Sequence, residues 1–84
     1  MIPKRIEKIV SLLKKVAEGK LDPDQALIEW GDVDQEQDEL IASSWHELTH
    51  FADDDDIREK DKEYEVYQQN LLKDYAKRIF EKYS

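Results

Sequence analysis

Apolar residues recur with a helical period along the first 20 residues. From residue 4 to residue 18 they follow i, i+3, i+4, i+7 spacing with lysines on the opposite side, and Gly19 then stands where helix C-termini favour glycine. The pattern predicts an amphipathic helix over residues 4–18. The apolar positions of its buried face are Ile6, Ile9, Val10, Leu12, Leu13, Val16 and Ala17.

A second, shorter helix is predicted from capping signals. Asp22 is a suitable N-cap, Pro23 suits the first helical position, and Gly31 stops the helix after Trp30. Three apolar residues share the side that we expect to face the core. They are Ala26, Leu27 and Trp30.

Helical periodicity resumes after an acidic segment and continues through residues 40–52. Asp32 or Asp34 can cap this third helix, and a buried stripe is predicted at four positions one turn apart. The following four aspartates oppose the negative end of the helix dipole, so they are interpreted as a connection that caps a further helix at Asp55 or Asp56. The predicted stripe is Ile41, Trp45, Leu48 and Ala52.

The last element, over about residues 61–82, is predicted to be the longest helix. Its leucines, tyrosines and other apolar residues keep the helical period, and no alternating strand pattern or Asn-Gly or Asp-Gly hairpin signal occurs anywhere in the chain. The sequence therefore predicts an all-α fold, a compact bundle of three long helices plus one short helix. With 84 residues, residues 1–84 are expected to form a single domain.

Charge changes this picture because it is strongly segregated along the chain. The net charge is -8, yet both ends of the chain are basic. Residues 1–20 hold six basic and two acidic residues, and residues 66–84 hold four basic and two acidic residues. Residues 21–65 hold three basic and seventeen acidic residues. Nucleic-acid binding needs a net basic surface, so nucleic acid is not expected as a direct ligand. The acidic middle favours a basic protein partner.

Several other classes of function lose support from composition. There is no cysteine, which removes disulfides, thiolate metal sites and a cysteine nucleophile. No segment reaches the roughly 20 apolar residues of a membrane span, and lysines interrupt the N-terminal apolar run, so a cytoplasmic protein is expected. A basic first helix that docks on a membrane or helper protein is the alternative to a merely solvated lysine face.

One pentapeptide, His46-Glu47-Leu48-Thr49-His50, spells His-Glu-x-x-His. Residues four apart on a helix stand one turn above each other, so His46 and His50 can hold one zinc ion while Glu47 activates a bound water. The pentapeptide resembles the active-site helix of thermolysin-like metallopeptidases. That resemblance implies a zinc-dependent hydrolase.

The rest of the chain departs from those enzymes. They use a third ligand some twenty residues downstream, where this chain has Asn70, and a substrate-binding edge strand that the pattern does not predict. The histidines also lie opposite the predicted apolar stripe. Zinc held by His46, His50 and either Asp53 or Asp54 is the milder alternative, and two polar-face histidines without metal are the simplest interpretation.

A second resemblance involves residues 20–75. The order of LDPDQALIEW, then Trp-His-x-Leu-x-His-Phe, then Asp-Asp-Asp-Ile-Arg-x-x-Asp-x-x-Tyr is similar to that of small uncharacterised bacterial all-helical proteins. Some of these resemble immunity proteins that neutralise nuclease bacteriocins of the colicin type. The resemblance implies an acidic surface that occupies the basic nucleic-acid groove of a toxin.

The sequence thus favours a non-enzymatic, acidic helical protein-binding module, with a zinc-binding protein or minimal metallohydrolase as the alternative. Acidic residues before and within the third helix are expected to contribute to the binding surface: Asp32, Asp34, Glu36, Asp38 and Glu39. The candidate partner-binding residues are four aspartates and two tyrosines, namely Asp53, Asp54, Asp55, Asp56, Tyr64 and Tyr67.

Overall fold

Five α-helices follow one another in the computed structural model, which describes residues 2–31 and 36–84. The prediction of a compact all-α fold is confirmed within these residues, whose Cα radius of gyration is 12.3 Å. The finer prediction of three long helices and one short helix misses one element, because the aspartate run starts an additional six-residue helix. The helices are α1 (Lys4–Ala17), α2 (Pro23–Trp30), α3 (Glu39–Asp53), α4 (Asp55–Lys60) and α5 (Lys62–Tyr83).

The ends of α1 and α2 follow from local backbone chemistry. Gly19 has a φ of 75°, and its amide bonds the carbonyl oxygen of Val16 at 3.1 Å, as expected for a left-handed residue after a helix. At the start of α2, one carboxylate oxygen of Asp22 accepts hydrogen bonds from the amides of Asp24 and Gln25 at 3.1 and 3.2 Å. Both predicted helix boundaries are therefore confirmed to within one residue.

The N-cap of α3 is Asp38, a residue that is predicted to contribute to the binding surface. Its carboxylate accepts hydrogen bonds from the amides of Leu40 and Ile41 at 2.9 and 3.5 Å. The predicted caps, Asp32 and Asp34, lie outside the described residues. Several acidic residues precede this helix, and the one that caps it stands directly before Glu39, the first helical residue.

The buried side of α3 is rotated from the predicted stripe. Ile41 and Leu48 are buried as expected, but Ser44 is also fully buried, whereas Trp45 and Ala52 are only partly covered. The Ser44 hydroxyl donates to the carbonyl oxygen of Ile41 at 2.7 Å, so its polar group is satisfied within the helix. A small, internally bonded side chain thus serves as a core residue.

Helix α5 is the centre of the bundle and packs antiparallel to both α1 and α3. The turn after α1 shares a cleft with Glu65 at the start of α5, while Phe80 near its end shares a groove with Glu7 and Val10. The pair formed by α1 and α5 is the most extensive in the described chain. The core that these helices enclose includes Ile6, Leu13, Ile41, Leu48, Leu72 and Ile79, each almost completely buried.

This packing rearranges the charges that the sequence separates. Helix α1 packs along α5, and Lys14 lies 5.9 Å from the centroid of the Phe80 ring near the end of α5, while α4 and the first turns of α5 contain mainly acidic residues. Among the described helices, none combines the length and apolar character that crossing a bilayer requires.

Candidate functional site

The most acidic part of the described structure is formed by the end of α3, all of α4 and the start of α5. We name residues 53–65 the acidic end; they contain eight acidic and three basic residues. Most of these carboxylates reach solvent because α4 packs mainly on α5 and leaves its outer side uncovered. The exposed acidic residues are Asp53, Asp55, Asp56, Glu59, Asp61 and Glu63.

Asp54 differs from its neighbours because the fold uses its carboxylate internally. One of its oxygens accepts a hydrogen bond from the Tyr64 hydroxyl at 2.8 Å and from the Gln68 amide nitrogen at 3.1 Å. The bond to Asp54 raises the pKa of Tyr64 above its usual value. The structure therefore places Asp54 and Tyr64, both predicted to bind a partner, in a contact between the α3–α4 junction and α5.

Tyr67, the second predicted aromatic anchor, remains available at the surface. Its side chain is 59% exposed, and its ring stacks on that of Tyr64 with 6.4 Å between the centroids. Stacking holds the ring in place and thereby lowers the entropy lost when a partner covers it. Of the two predicted tyrosines, Tyr67 thus presents the larger contact surface.

Arg58 is the one basic residue of the acidic end that is buried. Its guanidinium carbon lies 3.7 Å from the centroid of the Phe51 ring, and Nη2 is 3.3 Å from a carboxylate oxygen of Asp55. Its Nη1 is also buried and has no hydrogen-bond partner among the described residues. The carboxylate of Asp55 is therefore partly neutralised by Arg58.

Two substitutions of Arg58 should distinguish the contribution of its packing to stability from the contribution of its charge. We expect Arg58→Met to change the free energy of unfolding by less than about 1 kcal/mol, because methionine keeps the apolar contact with Phe51 and removes a buried guanidinium. Arg58→Ala, which loses that packing, should lower it by about 2 kcal/mol. Urea denaturation measures both. Equal losses in the two variants would show that the guanidinium itself stabilises the fold.

Large apolar side chains are exposed beside these carboxylates. Ile57 on α4 is 51% exposed and Val66 on α5 is 53% exposed, in addition to Tyr67. Exposed apolar residues among charges are common where proteins bind one another, since the charges orient the partner and the apolar groups lose water. Sequence periodicity did not identify Ile57 and Val66, although each lies within two residues of acidic neighbours.

The acidic segment before α3 is not part of this surface as far as it is described. Glu36 forms an ion pair with Arg5, and its side chain is 8% exposed. Asp38, whose side chain is 9% exposed, binds Lys82 at 2.8 Å and also accepts a hydrogen bond from the Tyr83 hydroxyl. The expectation that Glu36 and Asp38 face a partner is therefore wrong, while Glu39 is exposed and Asp32 and Asp34 lie outside the described residues.

The two histidines lie on the exposed side of α3, one helical turn apart. The ring of His46 meets Trp45 edge-on at 5.3 Å between centroids, and His50 is also exposed, while Glu47 between them is half-buried. Within residues 2–31 and 36–84, no three His, Asp or Glu side chains are arranged to hold a metal ion. Asp54, one of the suggested third ligands, is bound to Tyr64.

Comparisons with known proteins complete this description. A scan against protein-family models, a search of curated proteins and a search of solved structures each found no match to this chain.

Proposed function

We propose that this chain is a cytoplasmic protein-binding module whose acidic end covers a basic surface of a partner protein. The observation that carries the proposal is the concentration of six exposed carboxylates around exposed apolar side chains at one end of the bundle. Asp53 and Asp56 are the members of the aspartate run with neither an ion pair nor a side-chain hydrogen bond among the described residues. They are expected to interact most directly with cationic groups of the partner.

The mechanism combines long-range attraction with short-range contact. The negative electrostatic field of the acidic end speeds the encounter with a basic surface and favours one orientation of the partner. Ile57 and Tyr67 then lose water against the partner, and aromatic residues in such positions supply a large share of binding energy. The helical scaffold keeps both kinds of group in place, so little ordering is required on binding.

The most specific form of the proposal is an immunity-type inhibitor. The similarity over residues 20–75 implies a nuclease bacteriocin as the partner, and such an enzyme has a basic groove for nucleic acid. Carboxylates spaced along α4 and the start of α5 can imitate the charges of a phosphate backbone. Covering the groove would block substrate without any chemical step in this chain.

Genomic context provides the experiment that tests this form. The product of the neighbouring coding region is expressed with this chain, and the two are purified through a tag on the neighbour. We expect a stable complex in which nuclease activity is lost. A neighbour that binds but is acidic, or a basic nuclease that retains full activity in the complex, would contradict the proposal.

A zinc-binding function is the second candidate, because α3 presents His46 and His50 one turn apart on an exposed face. Neutral imidazoles in this arrangement can chelate one Zn²⁺, and the remaining positions would be filled by water or by groups from another molecule. Glu47, on the flank of the pair, would be the general base if the site were hydrolytic.

Calorimetric titration of the untagged protein with zinc chloride tests this candidate. If the histidines are ligands, we expect His50→Ala to weaken zinc binding by at least about tenfold, since only one imidazole remains. Asn70→Ala, on a different helix, is the control and should bind zinc as the wild type does. Binding that is absent, or unchanged in His50→Ala, would remove the zinc hypothesis.

A further inference from the structure

A groove between α1 and α5 is lined by three basic and two acidic residues, in contrast to the strongly acidic residues 53–65. Its volume is about 390 Å³, which is enough for one or two large side chains, and its walls include Val10 and Phe80. Phe80 is 46% exposed although it lies beside the core. The remaining lining residues are charged or polar, and three of them are lysines: Lys14, Lys15 and Lys20.

The three lysines give this groove a small excess of positive charge over its two glutamates. The ammonium group of Lys14 lies 5.9 Å from the centroid of the Phe80 ring. Lys20 pairs with Glu18 at 3.0 Å, and its bond, together with the charges of Lys73 and Lys14, lowers the pKa of Glu18. The groove also contains Glu7, but its acidic residues are outnumbered, so an acidic segment with a projecting apolar side chain is the complementary ligand.

Such a segment exists in the same chain. Helix α4 exposes Ile57 to 51%, and exposed acidic residues precede and follow it along the chain. Helix α4 has two basic residues. Arg58 is buried against Phe51, so Lys60 is the exposed one. Ile57 with its acidic neighbours therefore matches the groove in size, polarity and charge.

The positions of α4 and of the groove between α1 and α5 allow a symmetric dimer in which both contacts form at once. Lys20 lines the groove and also the cleft that borders α4 at Asp55 and Glu59, so α4 and the groove flank the same turn between α1 and α2. Two copies related by a twofold axis near this turn can each place α4 in the groove of the other. A reciprocal contact of this kind closes the dimer and prevents open-ended assembly.

We propose that the chain forms such a reciprocal dimer, in which Ile57 of each copy enters the groove between α1 and α5 of the other. The alternatives fit less well: a bilayer surface is too flat to fill a groove, and a nucleic acid has no aliphatic side chain to place beside Val10 and Phe80. The dimer goes beyond the proposed function because it requires no other protein. It also covers α4, so self-association would compete with the basic partner.

Sedimentation velocity over a range of concentrations tests the apolar part of the contact. We expect a reversible dimer of the wild type and about a hundredfold weaker dimer in Ile57→Ser, because each contact is made twice and each loses about tenfold. Phe80→Ala should have a similar effect. Ile28→Ser is the matched control, since Ile28 is 73% exposed on α2 outside the groove, and its dimer should be unchanged.

Charge reversal tests the pairing of the two surfaces directly. One variant carries Lys14→Glu and Lys15→Glu, and the other carries Asp53→Lys and Asp56→Lys; circular dichroism verifies that each is folded. We expect each variant alone to be monomeric and an equimolar mixture to form a heterodimer, because both contacts then join opposite charges. A monomeric wild type, or a mixture that remains monomeric, would overturn the dimer. The groove variant should still bind the basic partner, so that binding, tested separately, reports on the proposed function alone.

Discussion

Neutralising four exposed carboxylates of the acidic end should slow association with the basic partner by at least about tenfold at low salt, while the dissociation rate changes less. Electrostatic steering raises association rates by about ten- to a thousandfold, and loss of four charges removes much of that gain. Stopped-flow fluorescence of Trp45 or a labelled partner measures both rates. The substitutions are Asp53→Asn, Asp56→Asn, Glu59→Gln and Glu63→Gln, which spare the internally bonded Asp54 and Asp55.

A matched variant separates the position of the charges from their number. In it, two aspartates and two glutamates that are exposed and outside the acidic end are replaced by asparagine and glutamine, so its net charge equals that of the acidic-end variant. Both variants are compared at 0.15 M salt, where charges separated by more than about 8 Å are screened. We expect the association rate of the matched variant to stay within about twofold of the wild type there, and that of the acidic-end variant to fall by more. Equal losses in both variants would show that total charge, and not the acidic end, attracts the partner. These substitutions are Asp24→Asn, Asp74→Asn, Glu29→Gln and Glu81→Gln.

Replacing Asp38 should produce the largest loss of stability among the polar residues. We expect Asp38→Ala to lower the free energy of unfolding by about 3 kcal/mol, since it removes an N-cap worth about 1 kcal/mol and charge-assisted bonds to Lys82 and Tyr83 worth about 2 kcal/mol. Urea denaturation followed by circular dichroism measures it. Asp22→Ala removes a comparable cap on α2 at an exposed position, and it should lower the free energy of unfolding by only about 1 kcal/mol.

The stability of the protein at low pH should depend on the same contacts of Asp38. Burial would raise the pKa of Asp38, but hydrogen bonds from Lys82, Tyr83 and two amides outweigh it and lower the pKa from 3.8 to about 2. A lowered pKa means that the stabilisation is complete above about pH 4 and is lost as the pH falls toward 2. Asp38→Asn keeps a capping side chain without the titration. Its stability should therefore fall less steeply than that of the wild type between pH 4 and 2, and identical slopes would contradict the assignment.

Capping and periodicity made most of the fold predictable. The helix over residues 4–18, the cap at Asp22 and the long last helix depend on interactions within a few residues, and all three appear in the structure. The cap of α3 was harder to predict because several acidic residues precede the apolar period. The sequence does not predict α4 as a separate helix, because four aspartates that oppose the dipole of α3 indicate a connection and the six residues of α4 are too few to show a period.

Predictions about the site depended on contacts between distant parts of the chain, which the sequence does not display. Asp38 meets Lys82 more than forty residues away, and Asp54 meets Gln68 across the interface of α3 and α5. Both carboxylates are therefore engaged in contacts within the fold. The concentration of acidic residues after α3 was predictable from their order in the sequence. The exposure of His46 and His50 was predictable from the helical period of the apolar residues around them.

The proposal that the acidic end steers a basic partner is tested most directly by the ionic-strength dependence of the wild-type association rate. Stopped-flow measurements from 0.02 to 0.5 M sodium chloride span Debye lengths from roughly 20 Å to roughly 4 Å. We expect the association rate constant to fall by more than about tenfold over this range, with a much smaller change in the dissociation rate constant. An association rate that is the same at both ends of the range would contradict the proposal.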